Sequence, residues 1–470
     1  MKTVNFMASA LAEALRHLLA LAALALLMFF SSCDNFVEVE LPSSQLSSQA
    51  VFADASTANA AMLSVFAKMR DTGILNGGMG ASMAMGAYAD ELDYYGNASG
   101  AAAPFYNNSL MAANPDVARW WSNAYNQVYG ANAVLEGVEA SASLPQPVKD
   151  RLTGEALFAR AFLHFYLASF YGPVPYVEVT DYRINSTLPR LALGEVYDRV
   201  ASDLEQAVQL LPADYPEGER IRPNKSAAMA LLARTHLYNG SWANAANAAS
   251  AVINDAQYGW ETNLDNVFVK AAPGAIWQFM PAVPGRNTIE GQTFIFLSGP
   301  PQLVALSPAL LGAFEAGDQR LVKWVKTVTN AAGSWKHAFK YKLRTSTATS
   351  QEYSIVLRLA EQYLIRAEAR ARQGELTAAL EDLDKVRLRA GLPGSPAATQ
   401  QEILDAILAE RRAELFTEFG HRFLDLKRFD RLNQALTPVK PGWDTTDALL
   451  PVPESEFVLN PALSPQNPGY

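Results

Sequence analysis

The sequence predicts a mostly α-helical fold, and three observations support that prediction. The 470 residues are 50% hydrophobic and rich in alanine, a composition that favours closely packed helices. Several segments repeat apolar residues with the period of an amphipathic helix. Two further segments share the spacing of a helical hairpin. A chain of this length can also bury a large core.

The helical period is clearest in three segments of the first half of the chain. They are residues 54–70, 116–137 and 150–171. The third segment places Leu157, Ala161 and Phe165 on one face. Gly172 and Pro173 are expected to end that helix, because proline cannot donate a backbone hydrogen bond and restricts the residue before it.

Two predicted helix pairs, near residues 226–253 and 358–390, have the same internal spacing. In each pair a small residue precedes a turn glycine, and a second small residue follows it. These residues are Ala233, Gly240 and Ala245 in the first pair, and Ala367, Gly374 and Ala379 in the second. Small side chains let two antiparallel helices approach, and glycine permits the tight turn, as in a tetratricopeptide hairpin. The alternative is two unrelated hairpins.

Periodicity fades in two stretches, residues 77–110 and 260–350. Glycines recur in the first, and tryptophans stand among glycine, proline and asparagine in the second. Residues 275–280 and 293–297 are predicted to form short strands. Loop-rich parts of a helical scaffold often carry the function.

The N-terminus is organised like a secretory signal over residues 1–32. A positively charged start precedes an apolar run over residues 18–30, which is shorter than the roughly 20 residues of a membrane span. Two serines and Cys33 follow, a pattern that resembles the lipobox of bacterial lipoproteins. We expect Cys33 to carry a lipid anchor. The alternative is a signal cleaved near the serines, with Cys33 as a free thiol.

The expected organisation after the signal is a lipidated tether over residues 33–50 and a single domain over residues 51–470. The tether is polar, and no second long apolar run follows it, so lipid would hold the chain at the membrane. Acidic residues close behind Cys33 resemble the signal that accompanies export to the cell surface in Bacteroidota. We therefore expect an outer-membrane protein that faces the cell exterior.

Composition and motifs exclude several functional classes. The net charge of -9 argues against a nucleic-acid partner. One cysteine cannot form an internal disulfide or a thiolate zinc cluster. The histidines lack metal-ligand spacing, and the sequence has neither a nucleophile elbow nor a phosphate-binding loop. We expect no cofactor and no metal site.

Three acidic residues, Asp90, Glu91 and Asp93, are the candidates for glycoside hydrolysis, which needs two suitably separated carboxyl groups. Acidic surface loops are common, so a protein without catalytic activity is the favoured interpretation. A surface hydrolase is the alternative.

Several stretches spread over the chain resemble the SusD/RagB family. The longer ones are residues 154–162 with 171–175, 410–415 with 418–428, and 450–453 continuing to Glu456, then 460–461 and 466–470; residues 317–320 and 89–91 are shorter. The family consists of surface lipoproteins of Bacteroidota that bind nutrients beside a SusC-like, TonB-dependent transporter. The resemblance implies a helical fold in which tetratricopeptide-like pairs support a loop-rich binding face. The charged residues of 410–428 are interpreted as an ion-pair network that locks the final helices to the core.

Candidate ligand contacts lie in the two loop-rich stretches. Aromatic faces match the apolar faces of sugars, while Asp, Asn and Arg match their hydroxyl groups. The candidates are Tyr88, Asp90, Tyr94, Tyr95, Asn97 and Tyr106 in the first stretch, and Arg286, Asn287, Trp324 and Trp335 in the second. Each aromatic residue could instead belong to the core.

The resulting hypothesis is a lipid-anchored protein that captures an oligosaccharide, or a peptide, and delivers it to a SusC-like transporter. The alternative is a tetratricopeptide scaffold lipoprotein that assembles outer-membrane proteins and binds no nutrient.

Overall fold

The computed structural model describes residues 11–21 and 48–470. Residues 11–21 form a helix, α1, within the first of two units, Met1–Ala50. The second unit is Val51–Tyr470. In the described part of the chain, no helix combines the length and apolar character needed to cross a membrane. Cys33, the predicted lipidation site, lies outside the described residues.

Helices account for most of the regular structure from residue 48 onward. They are α2 (Ser48–Val51), α3 (Ala55–Asp71), α4 (Ala81–Tyr88), α5 (Ala103–Tyr106), α6 (Pro115–Ala140), α7 (Gln146–Tyr171), α8 (Tyr182–Asn185), α9 (Leu193–Leu210), α10 (Lys225–Tyr238), α11 (Trp242–Ile253), α12 (Ile289–Phe294), α13 (Pro308–Leu311), α14 (Gln319–Lys323), α15 (Leu359–Arg372), α16 (Leu376–Arg389), α17 (Gln400–Leu415), α18 (His421–Arg428), α19 (Leu432–Leu436) and α20 (Glu454–Leu459). The prediction of a mostly α-helical fold is confirmed.

Local sequence sets where the long helices begin and end. The side chain of Asp54 accepts hydrogen bonds from the first turn of α3, and Asn114 does the same for α6. At α17, Thr399 and Glu402 form a capping box. Helix α7 ends at Gly172, whose φ of 77° is accessible to glycine at little cost. The periodic segments therefore end where backbone groups find side-chain or turn partners.

The two predicted hairpins form, and they pack beside each other. Gly240 joins α10 to α11 and Gly374 joins α15 to α16, both with positive φ. Fully buried alanines on α10 and α11 pack with Ile365 and Ala369 of α15 in one apolar cluster. Helix α11 therefore contacts α15, although many residues separate the hairpins in the sequence. Small side chains permit this close approach between pairs as well as within them.

The strands are short and form three antiparallel pairs. They are β1 (Leu92–Tyr94), β2 (Ala275–Phe279), β3 (Val304–Leu306), β4 (Val325–Asn330), β5 (Gly333–Ala338) and β6 (Ser354–Arg358). Strand β1 pairs with β3, β2 with β6, and β4 with β5. The strand predicted over residues 275–280 is confirmed by β2.

The strand predicted over residues 293–297 is wrong. Its first two residues end helix α12, which begins because the Thr288 side chain accepts a hydrogen bond from the Gly291 amide. Phe294 is buried in the core beside β1 and β3. The helix cap and this burial outweigh the β-propensity of the short apolar run.

The charged residues of the 410–418 segment form a buried network. Arg320 contacts Asp318 and Glu410, with Nη1 2.6 Å from a Glu410 oxygen. Arg358 contacts Glu414 at 2.6 Å and Glu418 at 2.7 Å. All six of these side chains are less than a tenth exposed. The interpretation of this motif as an internal ion-pair network is confirmed.

Candidate ligand-binding surface

Strand β1 brings the first loop-rich stretch against the second. Leu92 pairs with Leu306 and Tyr94 with Val304, and the Tyr95 amide donates to the Leu303 carbonyl at 2.8 Å. Strand β3 in turn contacts β5, which carries Trp335. Aromatic residues that lie far apart in the sequence therefore meet at one edge of the strands.

Four aromatic residues form this edge: Tyr94, Tyr95, Tyr106 and Trp335, referred to below as the tyrosine–tryptophan surface. The rings of Tyr94 and Tyr106 lie 6.2 Å apart. Burial raises the pKa of Tyr95, an effect that the nearby Trp335 indole opposes, and 41% of Tyr95 is exposed. The other three are partly exposed. Exposed aromatic rings held side by side suit the apolar face of a sugar.

The backbone around Trp335 fixes the position of its ring. A Cβ at Gly299 would lie 2.2 Å from the indole, so only glycine allows the 299 backbone to approach this closely. The Asn330 amide donates to the Gly299 carbonyl at 2.6 Å, which joins the two segments. Gly333 also lies against the ring, at a φ of 151°.

Tyr94 is held by the loop that follows it. Its hydroxyl donates to the Asn97 carbonyl at 2.8 Å. A Cβ at Gly96 or Gly100 would lie less than 2.5 Å from the Tyr94 hydroxyl oxygen, so glycine is needed for the loop to wrap around it. Asn97 is exposed, and its side-chain oxygen accepts from the Ser99 amide and hydroxyl. Its amide nitrogen has no partner among the described residues and remains able to donate to a ligand.

A lysine and an aspartate lie behind the aromatic rings. Lys440 Nζ is 3.9 Å from the centre of the Tyr106 ring and donates to the Tyr106 carbonyl at 3.1 Å. Burial lowers the pKa of Lys440 to about 8, an effect that Asp93 opposes. Burial also raises the pKa of Asp93, although the nearby Lys440 and Tyr106 act against the shift. These contacts fix Tyr106 from beneath.

Two acidic residues attach the base of β1 to the C-terminal part of the chain. Asp90 accepts two hydrogen bonds from Arg422, at 2.8 and 2.9 Å, and one from Arg412 at 2.7 Å. Glu91 is buried and accepts from the Thr417 amide at 3.3 Å. Burial, together with the nearby Asp90 charge, raises the pKa of Glu91 to about 7. Both residues support the surface without being part of it.

Four of the predicted ligand contacts require correction, because their side chains are buried and bonded internally. The Tyr88 hydroxyl donates to the Asp447 carbonyl at 3.1 Å, and the Trp324 indole donates to the Leu264 carbonyl at 2.9 Å. Asp90 is engaged by two arginines, as described above. Asn287 donates to the Thr345 carbonyl and accepts from the amides of residues 351 and 352.

Arg286 lies elsewhere on the molecule. It is exposed and lines a cavity of about 150 Å³ together with Arg70 and Glu290. None of the four aromatic residues of the tyrosine–tryptophan surface lines this cavity. The structure therefore brings together Tyr94, Tyr95, Asn97, Tyr106 and Trp335, and places Arg286 at another site.

Sequence reasoning missed two residues that shape the surface, Gly299 and Lys440. Lys440 is 334 residues from Tyr106, and nothing near it in the sequence indicates a contact with an aromatic ring. Gly299 stands in a glycine- and proline-containing segment, a signal for a turn but not for an indole packed against it. Within the described residues, no group of His, Cys, Asp and Glu is arranged to hold a metal.

Comparison with protein families gives two matches. A family described as "Starch-binding associating with outer membrane" matches residues 75–237, and the SusD family matches residues 320–470. The chain belongs to the SusD family. The two matched regions contain Tyr94, Tyr95, Tyr106 and Trp335. The resemblance seen in the sequence is confirmed.

Similar SusD-family proteins match over most of their length. SusD-like protein P2 of Formosa agariphila is 28% identical over 77% of this chain and 83% of its own length. SusD-like protein P25 of the same organism is 24% identical over 93% and 97%. A solved laminarin-binding SusD-like protein has a TM-score of 0.75 at 23% identity and covers 88% of this chain and 99% of its own. A SusD superfamily protein from Bacteroides vulgatus has the same TM-score at 21% identity, covering 89% and 99%. These structural likenesses show the fold.

Proposed function

We propose that this SusD-family protein binds an oligosaccharide at the tyrosine–tryptophan surface and delivers it to a SusC-like, TonB-dependent transporter. The observation that carries the proposal is the pair of partly exposed rings, Tyr95 and Trp335, with the Trp335 ring fixed by the backbone of Gly299. A ring held in place before binding loses little conformational entropy when a sugar stacks on it. The laminarin-binding relative supports a glycan as the ligand.

Under this proposal, the protein binds glycans without catalysing their hydrolysis. Asp90, the first of the candidate carboxylates, is committed to Arg412 and Arg422, and Glu91 is fully buried. Asp93 is half-buried near Tyr106 and Lys440. A pair of carboxyl groups that both reach a glycosidic bond is needed for hydrolysis, and this arrangement supports binding instead.

The proposed location is the outer membrane, with the lipid on Cys33 and the domain facing the cell exterior. The family description, which refers to association with the outer membrane, supports this location. Cys33→Ser should release a folded protein from membranes into the soluble fraction. Retention of that variant on membranes after a high-salt wash would contradict the lipid anchor.

The ligand is tested by isothermal titration of the full chain, purified in detergent, with laminarin oligosaccharides and a panel of other neutral glycans. Trp335→Ala should weaken binding at least about fivefold, because aromatic stacking contributes about 1 kcal/mol beyond area burial. Trp242→Ala is the matched control, since Trp242 is also partly exposed and lies on α11, outside the surface. Equal loss in both variants would contradict the site.

Two outcomes would favour other functions. Binding of peptides in place of glycans would overturn the ligand class while retaining the surface. Failure to bind any glycan or peptide, with normal folding, would favour the tetratricopeptide scaffold. The transporter is tested separately by purification from native membranes in mild detergent, where a co-purifying barrel protein is expected and its absence would contradict delivery.

A further inference from the structure

A second and larger cavity lies away from the tyrosine–tryptophan surface. It has a volume of about 710 Å³ and is bounded by α6, by the segment around residues 175–186 and by α20. This volume lies within the range of small-molecule sites, about 300–1,000 Å³. We call it the α6 groove. It shares no lining residue with the tyrosine–tryptophan surface.

Aromatic side chains form the walls of the α6 groove. Trp121 and Tyr125 lie side by side, with ring centres 5.0 Å apart. Tyr129 and Tyr182 are 51% and 76% exposed, although both line the cavity. The hydroxyl groups of these two tyrosines have no hydrogen-bond partner among the described residues. Exposed rings with free hydroxyls offer both the apolar and the polar contact that a sugar ring requires.

One acidic residue, Glu456, stands among these rings without a cation. Its side chain is half-buried, and burial raises its pKa, an effect that the nearby Trp121 indole opposes. In residues 48–470, no lysine, arginine or histidine forms an ion pair with it. Arg190, which influences the neighbouring Tyr125, instead donates to the carbonyls of Pro173 and Pro465. A partly buried carboxylate surrounded by aromatic faces is complementary to an ammonium group.

The backbone along the groove argues against an extended peptide as the occupant. A peptide that adds as a strand needs free amide and carbonyl groups along the receiving segment. In the segment from Pro175 to Thr180, side chains engage four of the six carbonyls and two of the five amides. The Tyr125 hydroxyl donates to the Pro175 carbonyl at 2.9 Å, the Asn132 amide donates to the Val177 carbonyl at 3.0 Å, and the Val177 amide donates to the ring of His164 at 3.1 Å.

The same engagement continues at the end of that segment. The Val179 carbonyl accepts from Asn185 at 2.8 Å, and the Thr180 amide donates to Glu136 at 2.7 Å. Recognition in the groove therefore depends on side chains. Stacking rings, hydroxyls and one carboxylate are suited to a carbohydrate.

We propose that the α6 groove is a second ligand site, which takes an amino-sugar oligosaccharide. The ammonium group of one ring contacts Glu456, and neighbouring rings stack on Tyr129 and Tyr182. This site goes beyond the proposed function, because it uses different residues and a charged ligand in place of a neutral one.

The test is isothermal titration of the full chain, at neutral pH and low salt, with a glucosamine tetramer and with the same tetramer N-acetylated. The glucosamine tetramer should bind about tenfold more tightly, since acetylation removes the charge that pairs with Glu456. Glu456→Gln should remove this difference. Glu454→Gln is the matched control, because Glu454 lies on the same helix and is exposed.

Two further variants separate the groove from the tyrosine–tryptophan surface. The double substitution Tyr129→Ala and Tyr182→Ala should abolish measurable binding of the glucosamine tetramer, and thermal unfolding should be unchanged because both rings are exposed. Trp335→Ala should leave that binding unchanged. If Trp335→Ala did not weaken binding of neutral glycans, the proposal for the α6 groove would still stand. If the groove variants did not weaken binding of the glucosamine tetramer, the proposed function would still stand.

Four results would overturn the proposal. They are equal affinity for the two tetramers, no effect of Glu456→Gln, loss of binding in Trp335→Ala, or tighter binding of a lysine-containing peptide than of the glucosamine tetramer. Either of the first two results would show that the Glu456 charge plays no role in binding. The third would place the ligand at the tyrosine–tryptophan surface, and the fourth would identify the ligand as a peptide.

Discussion

Replacing Glu414 tests whether the buried charge network holds the C-terminal helices. Glu414 is fully buried and contacts Arg358 at 2.6 Å and Arg320 at 3.2 Å, and it also contacts Arg389. These arginines hold the pKa of Glu414 well below its usual range despite its burial. Glu414→Gln preserves the shape of the side chain and removes the charge.

The loss of stability in Glu414→Gln depends on which acidic partners each arginine keeps. Arg358 keeps Glu418, and Arg320 keeps Asp318 and Glu410. Arg389 loses its carboxylate partner, and no other described acid pairs with it. Breaking a buried ion pair from one side costs about 3–5 kcal/mol. This is a large part of a total stability of about 5–15 kcal/mol.

Urea unfolding followed by tryptophan fluorescence measures the loss. With an m-value of about 3 kcal/mol/M or more, the midpoint should fall by roughly 1 M. Glu381→Gln is the control, because Glu381 is exposed on α16 and should change stability by less than about 0.5 kcal/mol. The network account is refuted if Glu414→Gln unfolds within that margin of the parent protein.

Acid unfolding gives a second readout of the same residue. Because the folded pKa of Glu414 is depressed, its stabilisation is present above the unfolded value of about 4.5 and is lost as pH falls toward the folded value. The parent protein should therefore lose stability steeply below that pH. Glu414→Gln should lose less over the same interval.

Three further predictions follow from single residues. Burial raises the pKa of Glu91 from 4.5 to about 7, so the free energy of unfolding of the parent protein should fall by up to about 3 kcal/mol as pH rises across that interval. Urea midpoints measured against pH should show this fall in the parent protein but not in Glu91→Gln. Gly299→Ala should displace the Trp335 ring and weaken glycan binding at least about fivefold in titration, because the new Cβ would lie 2.2 Å from the indole. Gly240→Ala and Gly374→Ala should each cost about 1–2 kcal/mol in urea unfolding, because both turns have positive φ while neither added Cβ meets an atom closer than 3.6 Å.

The controls for these predictions are also available in the chain. An alanine at Gly194, in the first turn of α9, meets only a side-chain atom at 3.8 Å and should not change glycan binding. A flat pH profile in the parent protein would contradict the assignment for Glu91. No loss of stability in either turn variant would contradict the conformational role of the two glycines.

Sequence patterns predicted the parts of the fold that depend on neighbouring residues. Helical period, caps and turn glycines act within a few residues, so α3, α6, α7 and the two hairpins could be read directly. The packing of α11 on α15 could not, because the spacing within each hairpin carries no information about its partner. The strand error at residues 293–297 arose because a short apolar run fits a strand as well as a buried helix end.

The candidate site was predicted less well, because burial of an aromatic residue depends on distant parts of the chain. Tyr88 and Tyr95 look alike in the sequence, yet Tyr88 is covered by the segment near Asp447 and Tyr95 is exposed. Trp324 and Trp335 differ in the same way. Glu456 was named only as part of the C-terminal stretch that resembles the family, since one glutamate in an acidic helix start gives no sign that rings from α6 surround it.

The contacts beneath the tyrosine–tryptophan surface determine when, during synthesis of the chain, that surface can form. Tyr94 and Tyr106 are synthesised early, but Lys440 supports Tyr106, and Arg412 and Arg422 hold Asp90 at the base of β1. The ribosome adds these three basic residues hundreds of residues after Tyr94 and Tyr106. The recognition face therefore cannot be finished until nearly the whole chain exists, so a polypeptide cut short before residue 412 would display no competent face.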